Sequence, residues 1–295
     1  MVKDIFAKKT NILLLIAPAL LLLGIFVGYP FIKIIIMSLQ KTDGLTPATF
    51  VKFDQYKKIF ADSAFWRANL ASLWLCLLAV VFNAVLGVFI AVVLNGLSKK
   101  IQKFCRTSYI MPMVLSVSVI SQLWLAIYHA DWGILNAFLH LVGLDCWQNA
   151  WLSNPHTAMV CVAIVGMWWM FGMDFLMAYS GINNIPKQFY EAAELDGASK
   201  FQSAIHITIP LLKNVIKTCF IISATGGFFT FPQVYIMTGG GPGDLTQTIM
   251  IYMYRQAFSN QRYGRAAAVA LISIIETCII LFVLQKAFKL IKSEE

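Results

Sequence analysis

The protein has 295 residues, of which 59% are apolar and only 13% carry a charge. This balance excludes an ordinary soluble globular domain and indicates an integral membrane protein. The net charge is +9, but the lysines and arginines lie mostly in short segments beside apolar runs. They therefore report membrane topology, and they give no reason to expect nucleic-acid binding.

Six apolar runs follow one another, and each is long enough to cross about 30 Å of hydrocarbon. The sequence predicts an all-α integral membrane protein with a single transmembrane domain over residues 1–295. The first run continues beyond Pro30 without a small-residue cleavage site, so it is predicted to be an uncleaved anchor. The expected spans lie at about residues 12–36, 70–97, 109–128, 158–180, 215–237 and 266–288.

The distribution of lysine and arginine predicts the orientation of these spans. Basic residues precede the first span, occupy a very short turn between the second and third spans, and follow the last span: Lys3, Lys8, Lys9, Lys99, Lys100, Lys103, Arg106, Lys286, Lys289 and Lys292. We therefore expect that turn and both termini in the cytoplasm. The segment 129–156 has no lysine or arginine and carries Asp131 and Asp145, which predicts an outer location. The segment 40–68 mixes both charges, so its side stays open.

One internal segment is helical in pattern but too polar to lie in lipid. Pro186 suits the first turn of a helix, and Gly197 is predicted to end that helix with a positive φ. Ser199 and Gln202 form a capping-box pattern that opens a second helix, which Pro210 is expected to close. An ordinary helix-turn-helix between two spans is one interpretation, and a surface that docks against a partner in water is the other. Each helix has an apolar stripe, formed by Phe189, Ala192 and Ala193 on the first and by Phe201, Ala204, Ile205 and Thr208 on the second.

A spaced motif runs through the same segment. Glu191-Ala192-Ala193 is followed after three residues by Gly197, after nine more by Ile207, and then by Ile209-Pro210. This spacing resembles the EAA loop of bacterial ABC importer permeases and departs from it only at Ile209, where the family has leucine. The resemblance implies the type I ABC importer permease fold, with about six transmembrane helices and a cytoplasmic two-helix coupling loop over residues 185–210. It also implies that the loop couples to an ATPase through Glu191, Ala192, Ala193, Asp196 and Gly197.

A glycine-rich segment follows the fifth expected span. The run from Gly239 to Asp244 lacks the Lys-Ser or Lys-Thr of a phosphate-binding loop, so it predicts a turn and not a nucleotide site. Together with Thr248, Tyr252 and Tyr254 it resembles the corresponding segment of permeases in the carbohydrate-uptake branch, of the maltodextrin and glycerol-phosphate type. This resemblance implies a solute that is a sugar, an oligosaccharide or a polyol.

The family resemblance also implies a set of partners. Such a permease pairs with a second, homologous permease in the bacterial cytoplasmic membrane, above a dimer of ATPase subunits and below an external solute-binding protein. Closure of the ATPase dimer is transmitted through the coupling helices as a rocking of the two permeases. ATP and Mg are expected on the ATPase, so we expect no catalytic residue, cofactor or metal site in this chain.

The resemblance places the solute path along the third, fourth and fifth spans. Serine and threonine often bond between membrane helices and tryptophan favours interfaces, so each polar residue there also has a structural interpretation. Asp174 is the strongest candidate, because a carboxylate within a span is costly and indicates a cavity or a partner. Glu276 shares that argument, with pairing across the permease interface or near the head groups as the alternative. The candidates for the path are Ser116, Trp169, Asp174, Ser223 and Thr230.

Two other classes of protein stay open. An ion-coupled secondary transporter would use Asp174 and Glu276 as proton or sodium sites. A membrane-embedded enzyme would need convergent polar residues, and the four histidines show no zinc-binding spacing and no G-x-S-x-G motif occurs. The six cysteines form no disulfide or metal-ligand pattern.

Overall fold

The computed structural model describes residues 9–290, with side chains from residue 12 to residue 288. Lys3, Lys8 and Lys292, on which the predicted topology drew, lie outside the described residues. The chain divides into two compact units, one formed by residues up to Asp62 with Met253–Ile274, and the other by Ser63–Tyr252 with residues from Ile275 onward. This division does not test the prediction of a single transmembrane domain, which stays a prediction.

The first unit begins with a long apolar helix and continues into a small hairpin. Its elements are α1 (Lys9–Leu23), a π-helical turn (Gly24–Gly28), α2 (Tyr29–Ser38), the antiparallel strands β1 (Gln40–Lys41) and β2 (Thr49–Phe50), and α3 (Asp54–Phe60). The Tyr263 N–H donates to Thr42 O over 3.1 Å, and Gly264 lies against Gln40 O. These contacts place the segment 40–62, whose side the charges left open, with the residues that precede the last span.

The remaining described elements are helical. They are α4 (Ser63–Ala79), α5 (Leu86–Asn95), α6 (Lys99–Val114), α7 (Val117–Ile127), α8 (Ile134–Leu141), α9 (Ala158–Asn183), α10 (Gln188–Leu195), α11 (Lys200–Ser203), α12 (Ile209–Leu211), α13 (Lys213–Phe228), α14 (Pro232–Met237), α15 (Ile249–Tyr254) and α16 (Tyr263–Leu290). A 3-10 turn forms at Asp145–Trp147, and π-helical turns form at Val80–Val85, Ala204–Thr208 and Arg255–Ser259.

Long apolar helices supply the membrane spans. Five described helical segments are long and apolar enough to cross a membrane: Ile12–Ser38, Ser63–Asn95, Ala158–Asn183, Lys213–Met237 and Tyr263–Phe288. A sixth candidate consists of α6 and α7, which pass the same test together. The prediction of an all-α protein with about six spans is therefore confirmed.

The third span is not the single straight helix that the sequence predicted over residues 109–128. The axes of α6 and α7 are bent by 100°. Leu115 and Ser116 have extended backbones, and the Ser116 side chain caps α7 by accepting from the Ser118 N–H at 3.3 Å. A serine that can satisfy the new helix start makes this break stable.

The basic residues expected in a very short turn lie on a helix instead. Because Ser98 is extended, α6 begins at once with Lys99, and only residues 96–98 remain for the turn. The buried Gln102 stabilises this turn. Its Nε2 donates to Leu97 O at 2.9 Å, and its Oε1 accepts from the Tyr179 hydroxyl at 2.8 Å. Gln102 Nε2 also donates to Asn95 O at 3.2 Å, so this side chain satisfies a backbone carbonyl at the end of α5.

Close helix packing in the second unit depends on glycines. A Cβ added at Gly172 on α9 would collide with Tyr109 O on α6, and one at Gly227 on α13 would lie 2.7 Å from Leu75 O on α4. Small residues let membrane helices approach at backbone distance. The buried side chains around these contacts, such as Phe175 and Val162, fill the space between the helices.

Adjacent glycines on α13 allow this packing to be tested. Gly227→Ala is expected to destabilise the folded protein by about 1–3 kcal/mol, because the new Cβ over-packs the contact with α4. Gly226→Ala is the matched control, since a Cβ there meets only Met170 Cε, at 3.9 Å, among the described atoms within 4 Å. Its Tm in detergent should be unchanged or slightly higher. Equal Tm values for the two variants would contradict the close approach of α4 and α13.

Candidate functional site

The first helix of the coupling loop is α10. It begins at Gln188, with Lys187 as its N-cap, so Pro186 precedes the helix and does not lie in its first turn as predicted. A difference of two residues at a helix end is ordinary, and Pro186 O still accepts from the Phe189 N–H at 3.2 Å. Glu191 lies in the first turn, where its negative charge is favourable to the helix dipole.

Gly197 ends α10 as predicted. Its φ is +77°, a conformation that costs a residue with a Cβ about 1–2 kcal/mol. The Ala198 N–H donates to Ala193 O at 2.9 Å, and the Gly197 N–H donates to Glu194 O at 3.1 Å. This pair of bonds is the Schellman motif, which satisfies the last carbonyls of a helix and reverses the chain.

The predicted capping box opens the second helix. The Ser199 N–H donates to Gln202 Oε1 at 2.7 Å, and the Gln202 N–H donates to Ser199 Oγ at 3.3 Å. The helix was predicted to close at Pro210; the π-helical turn Ala204–Thr208 leads directly into α12, which ends one residue later, at Leu211. Proline breaks a regular helix by crowding the preceding turn, and the widened turn carries the chain past it.

The same wide turn divides the predicted apolar stripe of the second helix. Phe201 and Ile205 are exposed, whereas Thr208 is buried and its hydroxyl lies 2.9 Å from the Tyr190 hydroxyl. That hydrogen bond ties α10 to the second helix. Phe201, Ala204 and Ile205 line one apolar cavity, as a shared face predicts, whereas Thr208 is not part of that lining.

The turn between the two helices presents an exposed surface. Leu195 at the end of the first helix is 89% exposed, and Phe201 on the second helix is 74% exposed. Of the predicted coupling residues, Ala193 is half-buried and the others are exposed: Glu191, Ala192, Asp196 and Gly197. These residues run from the first turn of α10 to the turn that ends it, and most of them are accessible to a partner.

A cavity of about 300 Å³ opens among the membrane helices of the second unit. Three residues predicted for the solute path line it, namely Trp169, Ser223 and Thr230. The lining also includes Asn83 and Gln233, which sequence reasoning missed. Both carry amide side chains within apolar runs, and this polarity is the sequence signal by which they could have been recognised as candidates. No charged side chain lines the cavity among the residues that the structure describes.

Asn83 is the lining residue that best indicates what the cavity could bind. It is only 3% exposed, and its Oδ1 has no hydrogen-bond donor within the described chain. Gln233, by contrast, donates its Nε2 to Val162 O. A buried acceptor that lacks a donor is unfavourable, so Asn83 is suited to a ligand that brings a hydroxyl or amide hydrogen.

Two predicted path residues do not line the cavity. Ser116 caps α7, and it is the following residue, Val117, that reaches the lining. Asp174 is fully buried behind the cavity wall, where its Oδ2 accepts from the Ser223 hydroxyl at 2.5 Å and its backbone carbonyl accepts from the Cys219 thiol. Asp174 therefore positions Ser223 and has no surface of its own in the cavity.

Glu276 has a partner in its own chain. The Asn69 side chain on α4 donates to Glu276 Oε1 on α16, and Glu276 is half-buried there. This bond joins two membrane helices within the chain. The second carboxylate oxygen, Oε2, has no hydrogen-bond partner among the described residues, so pairing across a permease interface or near the head groups stays a prediction. The cavity lining includes neither Glu276 nor Asp174.

The described histidines, cysteines and carboxylates form no cluster that could hold a metal ion. His140 lies 2.7 Å from Asp145, and both side chains are exposed. All six cysteines are free thiols.

Comparison with known proteins identifies the family. Residues 83–289 match the family described as binding-protein-dependent transport system inner membrane component. The chain is 34% identical to the probable ABC transporter permease protein YurN of Bacillus subtilis, over 95% of this chain and 97% of that protein. It is 32% identical to the sulfoquinovosyl glycerol transport system permease protein SmoG of Agrobacterium fabrum, over 88% and 85% respectively.

Solved structures agree with this assignment at the level of the fold. The chain matches one from a bacterial ABC transporter that imports the acidic polysaccharide alginate, with a TM-score of 0.84 and 23% identity over 97% of both chains. The chain is a member of the binding-protein-dependent inner membrane transport family, the permeases of ABC transporters.

Proposed function

We propose that this chain is one of two homologous permease subunits of an ATP-driven importer for a sugar or oligosaccharide. It forms half of the translocation path and spans the bacterial cytoplasmic membrane several times, with both termini in the cytoplasm. Family membership supports the transport role, and relatives that carry sulfoquinovosyl glycerol or alginate support a carbohydrate solute. ATP and Mg²⁺ bind to separate ATPase subunits, so this chain is a transport subunit without catalysis of its own.

The exposed turn of the coupling loop carries the proposal. Leu195 is 89% exposed beside the charged Glu191 and Asp196. Covering an apolar side chain in such a place lowers the free energy of the complex with a partner. The Schellman turn at Gly197 and the bond between Tyr190 and Thr208 hold the two short helices in one arrangement. A rigid, partly apolar knob of this kind suits a cleft on an ATPase subunit.

Gly197→Asp tests the coupling role. The variant should lower solute uptake and binding-protein-stimulated ATPase activity by roughly tenfold or more, because it places an unpaired charge in the docking surface. Uptake into proteoliposomes and phosphate release by the assembled complex are the measurements.

Gly143→Asp is the matched control for this experiment. Gly143 has a φ of +74°, close to the +77° of Gly197, and an added Cβ meets nothing within 4 Å at either position. The local strain of the two substitutions is therefore similar. Equal activity of the two variants would contradict the coupling role of the loop, as would a wild-type chain that co-purifies with no ATPase.

The membrane cavity is the proposed solute path through this subunit. Trp169 offers an aromatic face, and Ser223, Thr230 and Asn83 offer hydroxyl and amide groups. Sugars are recognised by hydrogen bonds and by contact with aromatic faces, so these side-chain types suit a carbohydrate. The buried Oδ1 of Asn83 is the acceptor that a sugar hydroxyl would satisfy.

Thr230→Val tests the path at one hydroxyl. The concentration of solute for half-maximal uptake should rise by about three- to tenfold, since a single neutral hydrogen bond is lost. Thr225→Val is the control, because both hydroxyls donate to backbone carbonyls of α13 but only Thr230 lines the cavity. If the two variants change uptake equally, Thr230 has no contact with solute.

The buried carboxylate gives a test against ion coupling. Asp174→Asn keeps an acceptor for the Ser223 hydroxyl, so uptake should remain within about threefold of wild type. Asp174→Leu removes that acceptor and should lower the Tm, because the Ser223 hydroxyl loses its partner. Loss of uptake in Asp174→Asn with an unchanged Tm would instead indicate that the ionised carboxylate takes part in transport.

A further inference from the structure

We propose that a polar cavity in the first unit receives an acidic side chain of the external solute-binding protein. The cavity measures about 420 Å³ and is bounded by the β1–β2 hairpin, α3 and the first turn of α16. The partner is taken from the proposed function, on which this inference therefore rests. The docking site itself is argued from the charges and exposure of the first unit.

The cavity is strongly basic. Four of the side chains that line it are basic and one is acidic. Asp43, the acidic one, is held by its own loop, because its Oδ1 accepts from the Thr46 N–H at 2.7 Å, the Leu45 N–H at 3.0 Å and the Thr46 hydroxyl at 2.8 Å. These bonds lower the pKa of Asp43 to about 2, so it stays ionised and committed to the turn.

Among the described residues, only one of the four basic side chains has an ionic partner. Lys58 lies 2.6 Å from Asp54. The other three, Lys41, Arg262 and Arg265, make no ion pair in the part of the chain that the structure describes. The cavity therefore presents positive charge that the first unit does not neutralise.

Arg265 shows that the cavity is suited to an anion. Its Nε is shielded from solvent and has no hydrogen-bond acceptor within the described residues. The pKa of Asp54 is lowered chiefly by its hydrogen bond with Lys58, and the charge of Arg265 is the smallest of the contributions. A buried guanidinium donor without an acceptor is costly, and a carboxylate is the acceptor that matches its geometry.

The location and the surroundings indicate a protein as the source of that carboxylate. The lining residues lie between the first and second spans and at the start of the last span. Charge alone left the side of the first of these segments open, but six spans with both termini in the cytoplasm predict that both lie outside, where the binding protein acts. Large apolar side chains stand exposed in the same hairpin and turn: Leu45 at 84%, Phe50 at 64% and Phe53 at 66%. Apolar groups beside buried charge are typical of protein interfaces, whereas a free anion would make no use of them.

The test uses the complete importer in lipid nanodiscs, with solute-loaded binding protein titrated against ATPase activity. Arg265→Gln should raise the binding-protein concentration for half-maximal stimulation by about tenfold, with basal activity and maximal rate unchanged. Arg67→Gln is the matched control. Arg67 carries the same charge but bonds to Ser63 on α4 and does not line the cavity, so the shift should stay below about twofold.

Two further variants keep the proposal testable. Arg262→Gln, at an exposed position, should give a smaller shift in the same direction and serves if Arg265→Gln assembles poorly. In the Arg265→Glu background, replacing the acidic surface residues of the binding protein one at a time by lysine should identify one that restores stimulation.

Three results would overturn the docking site. The first is an unchanged half-saturating concentration in both Arg265→Gln and Arg262→Gln. The second is a shift seen in nanodiscs with phosphatidylglycerol but not in those of phosphatidylcholine, which would assign the cavity to a lipid head group. The third is a wild-type complex that ignores the binding protein, and only this result would also remove the proposed function.

Discussion

Every backbone amide and carbonyl in hydrocarbon needs a partner inside the protein, and this constraint governs the whole structure. Unbroken helices meet it alone, whereas each break requires a side chain from elsewhere. At the bend of the third span, the Trp169 indole donates to Leu115 O at 3.2 Å. At the end of α13, the Thr248 hydroxyl donates to Thr230 O at 3.0 Å. Both breaks are therefore stabilised by a polar group from another segment of the chain.

The membrane cavity lies where these breaks occur. Trp169 both satisfies the bent third span and lines the cavity, and Thr230 lies at the broken end of the fifth span and lines it as well. Irregular backbone is tolerated at membrane depth only where it is buried or borders a cavity. The structural and the transport interpretations of these residues are thus compatible, since a side chain that stabilises a break is already placed at the path.

The coupling loop obeys a different constraint because it meets water. Its helices are too short to be stable alone, so the chain fixes them with local devices: the Schellman turn at Gly197, the capping box of Ser199 and Gln202, and the bond between Tyr190 and Thr208. These devices leave Leu195 exposed. Because these hydrogen bonds are made within the loop, its exposed side chains remain accessible to a partner.

The sequence by itself determined the number of spans, the positive φ at Gly197 and the capping box, because each follows from local composition or spacing of a few residues. Only the tertiary structure decided the bend at Ser116, the wide π-helical turn before Pro210 and the burial of Asp174 behind Ser223. These features depend on which helices pack together and on which distant side chain satisfies a broken backbone. Residues far apart in the chain supply those contacts, so no local pattern encodes them.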